Sequence, residues 1–316
     1  MNKDFKVIFA GTPEFGLPCL VALSQENIRL QAIYTQPDRP SGRGRNVQFS
    51  PIKSWGIEHD IPVYQPVNFK SKQEIETLQA LQPDLMIVIA YGLILPKQVL
   101  TIPRLGCINV HASILPRWRG ASPIQHAILH DDKFTGVTIM QMDVGMDTGD
   151  YYTIKTIAID PQDTAKTLHD KLATLAVNPL IDTLKQLQNN PNLKPSKQDN
   201  ESATYAAKIN KEDAEINWQQ AAKFIACKIR AFNPWPLAFT TYNSTRFQIL
   251  DAQEIFIKSD AKPGEVIDLT KNGMLINTGN NALLITKIKF PGKNSITISD
   301  YVNANNKPIQ VGTILP

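Results

Sequence analysis

The sequence predicts an α/β protein in which a Rossmann-like parallel sheet is followed by a small OB-like β-barrel. Strand-like apolar runs alternate with helix-like segments in the first half, which is typical of βαβ units on a parallel sheet. A polar segment then interrupts the pattern, and short strands separated by turns follow it. At 316 residues the chain is long enough for two domains.

The first half contains the clearest periodic signals. The run from Leu85 to Ala90 is apolar throughout, as expected of a central strand covered on both faces. Leucines at helical spacing from Thr164 to Leu187, interrupted by Pro179, predict a helical segment that covers the sheet. The other predicted strands are Lys6–Ala10, Leu30–Thr35 and Leu105–Val110, and the other predicted helices are Gly16–Ser24 and Ser71–Leu81.

The second half begins after a segment with little to bury. From 188 to 202 only Leu193 is strongly apolar. We therefore predict domains at 1–190 and 209–316, joined by a linker at 191–208. A helix is predicted at 221–231, and turns at 243–244, 263–264, 272–273 and 279–280 separate the short strands of the predicted barrel.

Composition limits the class of protein. No apolar run approaches the roughly 18 residues that span a membrane, so we expect no membrane partner and a cytoplasmic location. Cys19, Cys107 and Cys227 are odd in number and widely scattered, which favours buried, reduced thiols. The net charge is +4, and most of the positive excess falls in 209–316.

One stretch, Gly106–Gly120, has the features of an active site. Asn109 and His111 are two residues apart on a predicted strand, so their side chains should project from one face at the strand's end. The strand then opens onto a loop, where parallel α/β sheets usually bind ligands. A second loop, Met142–Gly149, which we call the acidic loop, carries Asp147, and we expect this residue to reach back to the imidazole.

These three side chains suit the attack of an amine on a formyl or acyl carbon. The Asn109 amide and a protonated His111 would stabilise the developing oxyanion, while Asp147 would accept from the imidazole and fix its tautomer. Spacing alone leaves a second interpretation open, in which His111 is a satisfied core histidine and Asp147 a turn residue between glycines.

The wider pattern resembles the folate-dependent formyltransferase family. It consists of Asn-x-His-x-Ser-x-Leu-Pro, then Arg-Gly, Gly-Val-Thr and Asp-x-Gly-x-Asp-x-Gly, between Gly106 and Asp150. The resemblance implies 10-formyltetrahydrofolate as co-substrate and Asn109, His111 and Asp147 as catalytic residues. It also implies a folate site at Ser113, Ile114, Leu115, Pro116, Ile89, Tyr91 and Asp143, with isoleucine at 114 where leucine is more usual.

Two other motifs lack the features of a cofactor or metal site. The glycines at 11 and 16 do not form Gly-x-Gly-x-x-Gly, and Pro13 would obstruct a phosphate-cradling turn, which disfavours an NAD site. Neither the paired acids at 131–132 nor the acids of the acidic loop have histidines or further carboxylates at ligand spacing. We therefore expect no metal.

A basic loop points to the acceptor of the formyl group. Residues 35–45 contain Arg39, Arg43 and Arg45, and charge alone is also compatible with a solvated basic loop. Together with Arg230–Pro236, this loop resembles the family members that formylate methionine on initiator methionyl-tRNA. The resemblance implies that the three arginines contact the tRNA and that the barrel helps to bind it. It implies no stable protein partner.

Two alternatives remain at this point. In the first, the folate site serves water or an amino sugar instead of tRNA, although the basic loop and Arg230–Pro236 argue against this. The second, a non-catalytic folate- or RNA-binding protein, is disfavoured because Asn109, His111 and Asp147 are all present.

Overall fold

The computed structural model describes residues 5–26, 28–41, 46–305 and 307–316. The chain forms two units. The first contains the described residues within Met1–Pro123, Phe134–Ala158 and His169–Ala206, and the second contains those within Ile124–Lys133, Ile159–Leu168 and Ala207–Pro316.

The strands of the first unit confirm the predicted ones to within two residues at each end. They are β1 Lys6–Gly11, β2 Arg29–Tyr34, β3 Arg39–Ser41, β4 Asn46–Gln48, β5 Val63–Tyr64, β6 Leu85–Ile89, β7 Cys107–His111, β8 Arg119–Gly120, β9 Phe134–Gln141, β10 Tyr151–Ala158 and β11 Tyr205–Ala206.

The helices follow in chain order. They are α1 Leu17–Gln25, α2 Pro51–Glu58, α3 Lys72–Ala80, α4 Lys97–Leu100, α5 Pro123–Leu129, α6 Ala165–Leu175 and α7 Val177–Asn189. The start of α3 is set by Ser71, whose hydroxyl accepts from the Glu74 amide as an N-cap.

The main sheet of the first unit has the order β10-β9-β7-β6-β1-β2-β5. Strands β7, β6, β1, β2 and β5 are parallel, as predicted. The sequence pattern did not indicate that β9 runs antiparallel to both of its neighbours, β7 and β10. Strand β6 is buried along its whole length between β1 and β7, which explains its unbroken apolar sequence.

Helices cover the sheet on both faces. A cluster containing Ile8, Met86 and Val88 packs with Ile75 and Leu78 of α3. On the sheet's antiparallel side, α7 contacts β9, β10 and α1. The predicted interruption of this helical run is present, but it falls at Ala176, three residues before Pro179. Helix α6 ends at Leu175, and Pro179 lies in the first turn of α7, where a missing backbone N–H costs no helical hydrogen bond.

The second unit is an antiparallel sheet with a helix on it. Besides most of α5 and the start of α6, its elements are α8 Ala222–Ala231, β12 Phe239–Tyr242, β13 Thr245–Ile255, β14 Val266–Thr270, β15 Gly273–Asn277, β16 Ala282–Lys289, β17 Ile296–Thr297 and α9 Ile298–Asn303. The strand order is β12-β13-β16-β15-β14, with β17 on β16. Among the described residues, β12 and β14 form no ladder with each other. Helix α8 packs against β13 and β16 over the core.

Side-chain burial bears out the thiol prediction. Cys19, Cys107 and Cys227 are free and buried, and burial raises the pKa of Cys19 and Cys107 to about 12. In the part of the chain that the structure describes, no helix has the length and apolar character needed to cross a membrane.

The segment predicted as a linker at 191–208 is attached to the first unit at three places. Ser196 forms a β-bridge with Tyr151, Gln198 is buried, and β11 pairs with β8. The composition of this segment gave no sign of this, because the attachment uses backbone and polar side-chain hydrogen bonds instead of apolar burial.

Substitution of Gly120 tests how strongly this attachment depends on the close approach of the β8 and β11 backbones. Its φ is +116°, and a Cβ there would lie 2.7 Å from the Ala206 carbonyl oxygen. We expect Gly120→Ala to lower the free energy of unfolding of the first unit by about 1–3 kcal/mol. The matched control is Gly92→Ala, because φ is +83° there but the nearest atom, 3.3 Å away, ends a flexible glutamine side chain. Urea unfolding measures both, and equal decreases would contradict the close-approach argument.

Candidate functional site

The carboxyl end of β7 positions the first two predicted site residues. Strand β7 lies between β6 and β9, with Asn109 opposite Val88 on one side and Met140 on the other. Asn109 and His111 therefore share a face, as predicted from their spacing. His111 is buried, whereas Asn109 is partly exposed. Within the described residues the Asn109 side-chain amide has no hydrogen-bond partner, so its donors remain available.

The His111 ring is fixed by a backbone carbonyl. Its Nε2 lies 2.9 Å from the Trp118 oxygen, and because a carbonyl only accepts, Nε2 must carry a hydrogen and donate it. Its Nδ1 faces Asp147 Oδ2 at 3.6 Å, which is ion-pair range but longer than a hydrogen bond. The predicted approach of Asp147 to the imidazole is therefore present, without a direct hydrogen bond between them.

Asp147 is held by the backbone of β8. Its Oδ2 accepts from the Gly120 amide at 2.8 Å, while Oδ1 has no partner among the described residues. Both residues that face the imidazole have left-handed backbones, with φ of 63° at Trp118 and 55° at Asp147. Such conformations cost free energy in residues other than glycine and persist where neighbouring contacts hold them.

The predicted folate residues divide into exposed and buried groups. Ile114 and Pro116 are partly exposed, and Asp143 is exposed and accepts from Gly145 N and Thr148 Oγ1 within its own loop. Ser113, Leu115, Ile89 and Tyr91 are buried, so in this structure these four residues present almost no surface to a ligand.

Two contacts explain why these side chains are internal. Ser113 Oγ donates to the Arg117 carbonyl at 2.6 Å, which closes the turn after β7. The Tyr91 ring belongs to a core cluster of the first unit, where its hydroxyl is buried and has no partner among the described residues, and desolvation raises its pKa. The assignment of Ile89 and Tyr91 to the folate site stays a prediction, and in this structure both side chains are buried.

A cavity of about 430 Å³ lies beyond the carboxyl ends of β1 and β2 in the first unit. Its wall includes Asp38, which is paired with Lys53, and hydrogen bonding from Lys53 lowers the pKa of that carboxyl. Arg39 is exposed at its edge. The other two predicted tRNA contacts, Arg43 and Arg45, lie outside the described residues.

The sequence analysis did not identify Trp118, Arg119 or Gln198, all of which help to position the site. Arg119 and Gly120 form the Arg-Gly of the motif, which was the only sequence signal for this group. Gln198 is 51 residues from Asp147 and has no local signal. In the described ranges no group of three or more His, Cys, Asp or Glu side chains is arranged to hold a metal ion.

Comparison with known proteins identifies the family. Residues 5–184 match the formyl transferase family, and residues 208–306 match the formyl transferase C-terminal domain. A protein of Legionella pneumophila strain Paris, named methionyl-tRNA formyltransferase, is 58% identical over 313 residues, covering 99% of each chain. A protein of the same name from Hydrogenovibrio crunogenus is 50% identical over 304 residues, covering 96% of this chain and 97% of its own.

Among solved structures, the N-formyltransferase of Helicobacter canadensis, in complex with folinic acid and dTDP-3-aminofucose, has the same fold. Its TM-score is 0.65 at 20% identity, covering 90% of this chain and 99% of that one. The sequence relatives extend over nearly the whole chain, and both domain matches agree with them. The chain therefore belongs to the formyl transferase family, within the group of methionyl-tRNA formyltransferases.

Proposed function

We propose that this protein transfers a formyl group from 10-formyltetrahydrofolate to the α-amino group of methionine on initiator methionyl-tRNA, for translation initiation. One observation carries the chemistry: the Asn109 amide, which has no partner among the described residues, shares a strand face with His111, whose Nδ1 faces Asp147 at 3.6 Å. The relatives' names support the choice of substrate. Because initiator tRNA is a cytoplasmic molecule, we propose a cytoplasmic location as well.

Asn109 is proposed to stabilise the oxyanion. When the amine attacks the formyl carbon, the carbonyl π electrons move to oxygen, and a donor aimed at that oxygen lowers the barrier. A partnerless amide at the open end of a strand suits this role, because it exchanges no protein hydrogen bond as charge develops.

His111 and Asp147 are proposed to handle the proton and its charge. The Trp118 carbonyl holds Nε2, so Nδ1 is the ring atom that gains or loses a proton. The Asp147 carboxylate balances the imidazolium, and its Oδ1, which has no partner among the described residues, accepts a hydrogen bond from the attacking amine. The His111–Asp147 pair takes up the proton that this nitrogen loses and returns it to the departing folate nitrogen as the carbon–nitrogen bond breaks.

Substrate binding is proposed to use surfaces on both units. The chain from Ser113 to Pro116 would contact folate through the partly exposed Ile114 and Pro116, and the acidic loop would contact it through Asp143. The cavity beside Arg39 would receive the aminoacyl end, with the 35–45 loop on the acceptor phosphates. In this proposal, residues 1–190 form the catalytic domain, residues 209–316 form the tRNA-binding domain, and the segment between them connects the two.

Labelled formyl transfer from 10-formyltetrahydrofolate tests the function directly. The acceptors to compare are methionyl-tRNA, a dTDP-linked amino sugar and water. We expect transfer to methionyl-tRNA. Preference for the amino sugar or for water would replace the proposal with an amino-sugar formyltransferase or a hydrolase, and transfer to none would favour a binding protein.

The three site residues give the first functional prediction. We expect Asn109→Ala, His111→Ala and Asp147→Asn each to lower the single-turnover rate by about 10² or more while folate binding survives, because each group acts mainly on developing charge. Asn190→Ala, at the exposed end of α7, is the control. A wild-type rate in any of the three variants would remove that residue from the mechanism.

The arginines give the second functional prediction. We expect Arg39→Ala and Arg43→Ala to impair the use of methionyl-tRNA without affecting folate binding, and to reduce the slope of log affinity against log salt by about one unit for each phosphate that is no longer neutralised. We also expect lysine to rescue poorly, because an ammonium cannot reproduce the guanidinium fork. The control is Arg29→Ala, which removes the same charge at the start of β2, the end of that strand away from the cavity. Unchanged tRNA kinetics at physiological salt would indicate that the loop is merely solvated.

A further inference from the structure

We propose that Gln198 is a positioning residue for Asp147, and that the buried guanidinium of Arg119 sets the direction of the Gln198 amide. The inference deepens the proposed function and rests on it. All of the residues concerned belong to the first unit.

Gln198 donates hydrogen bonds to the backbone of the acidic loop at two points. Its Nε2 donates to the Asp147 carbonyl at 2.9 Å and to the Gly149 carbonyl at 2.6 Å. Both amide hydrogens are therefore used, on carbonyls either side of Thr148. Because the side chain is only 8% exposed, water competes weakly for these bonds.

Arg119 decides which way this amide points. Its Nε and Nη2 donate to Gln198 Oε1 at 3.1 and 2.7 Å, and Nη2 also donates to Asn200 Oδ1 at 2.7 Å. A flipped amide would turn its NH₂ toward the guanidinium and its oxygen toward two carbonyls. The observed orientation is thus the only one that satisfies all four groups.

The charge of Arg119 strengthens the argument. Arg119 is 2% exposed, and within the described residues no carboxylate lies at ion-pair distance from it. Burying a charge that only amide oxygens balance costs desolvation free energy, so this arrangement is a poor way to stabilise the fold. A cation on the amide oxygen polarises that amide and makes its N–H groups stronger donors toward the loop.

The same short strand holds Asp147 from two sides. Gly120 N binds the carboxylate, and the neighbouring Arg119, acting through Gln198, holds the peptide carbonyl of the same residue. Because both its carboxylate and its peptide carbonyl are fixed, Asp147, whose backbone is left-handed, keeps the carboxylate beside His111. Among the described residues, removal of the Gln198 donor would leave Asp147 itself held only by the Gly120 amide.

The decisive variant is Gln198→Glu in the full-length protein. Glutamate has the same shape and pairs with Arg119 even better, but it presents oxygen instead of N–H to the two carbonyls. We expect the urea midpoint to be maintained while kcat for formyl transfer to methionyl-tRNA falls about 10- to 100-fold and KM for 10-formyltetrahydrofolate changes little. Gln186→Glu, exposed on α7, makes the same charge change as a control.

A second readout does not depend on activity. We expect hydrogen exchange of the Gly120 amide, which donates to Asp147 Oδ2, to accelerate at least tenfold in Gln198→Glu. The adjacent Ala121 amide donates to the Ala206 carbonyl and should be unaffected. Gln198→Asn keeps the amide but is one methylene too short to reach both carbonyls, so it should behave similarly and serves if the glutamate variant does not fold.

The outcomes separate the two proposals. A wild-type kcat in Gln198→Glu overturns the positioning role, as does unchanged Gly120 exchange. A wild-type protein that fails to formylate methionyl-tRNA overturns the proposed function instead, and in that case Gly120 exchange alone decides whether Gln198 positions Asp147.

Discussion

The hydrogen bond from His111 Nε2 to the Trp118 carbonyl determines what the rest of the site can do. Once a backbone oxygen occupies one ring nitrogen, only Nδ1 is left to exchange a proton, and that atom faces Asp147. The carbonyl is aimed by a left-handed tryptophan whose amide donates to Thr204 Oγ1. The segment after α7 therefore fixes the imidazole as well as the acidic loop.

The two residues of β8 connect these constraints. On one side Arg119 and Gly120 pair with β11, and on the other they hold the carboxylate and, through Gln198, the carbonyl of Asp147. Contacts between residues about 80 positions apart thus assemble a site whose chemistry belongs to short, local motifs. Fixing a reactive carboxylate before substrate arrives avoids reorganisation during reaction, which is the main way that polar active sites lower barriers.

The sequence predicted what local pattern encodes. The apolar run of β6, the helix from about Ser71 and the alternation of Asn109 and His111 are each determined by neighbouring residues, and the structure confirms them. It did not predict the hydrogen bond between Arg119 and Gln198, because two polar residues 79 positions apart produce no periodic pattern in the sequence. The family resemblance placed Ile89 and Tyr91 at the folate site, although the apolar run from Leu85 to Ala90 already predicted that Ile89 is buried: a motif indicates which residues are near a site, while packing decides which way each side chain faces.

The tautomer of His111 tests this account most directly. In protein labelled with ¹⁵N-histidine, the long-range correlation spectrum distinguishes the two ring nitrogens, and His111→Gln identifies the signals among those of the five histidines. The account predicts that neutral His111 carries its hydrogen on Nε2 and that Asp147→Asn perturbs Nδ1 more than Nε2. A neutral ring with its hydrogen on Nδ1 would contradict it, because the Trp118 carbonyl would then face a nitrogen with nothing to donate.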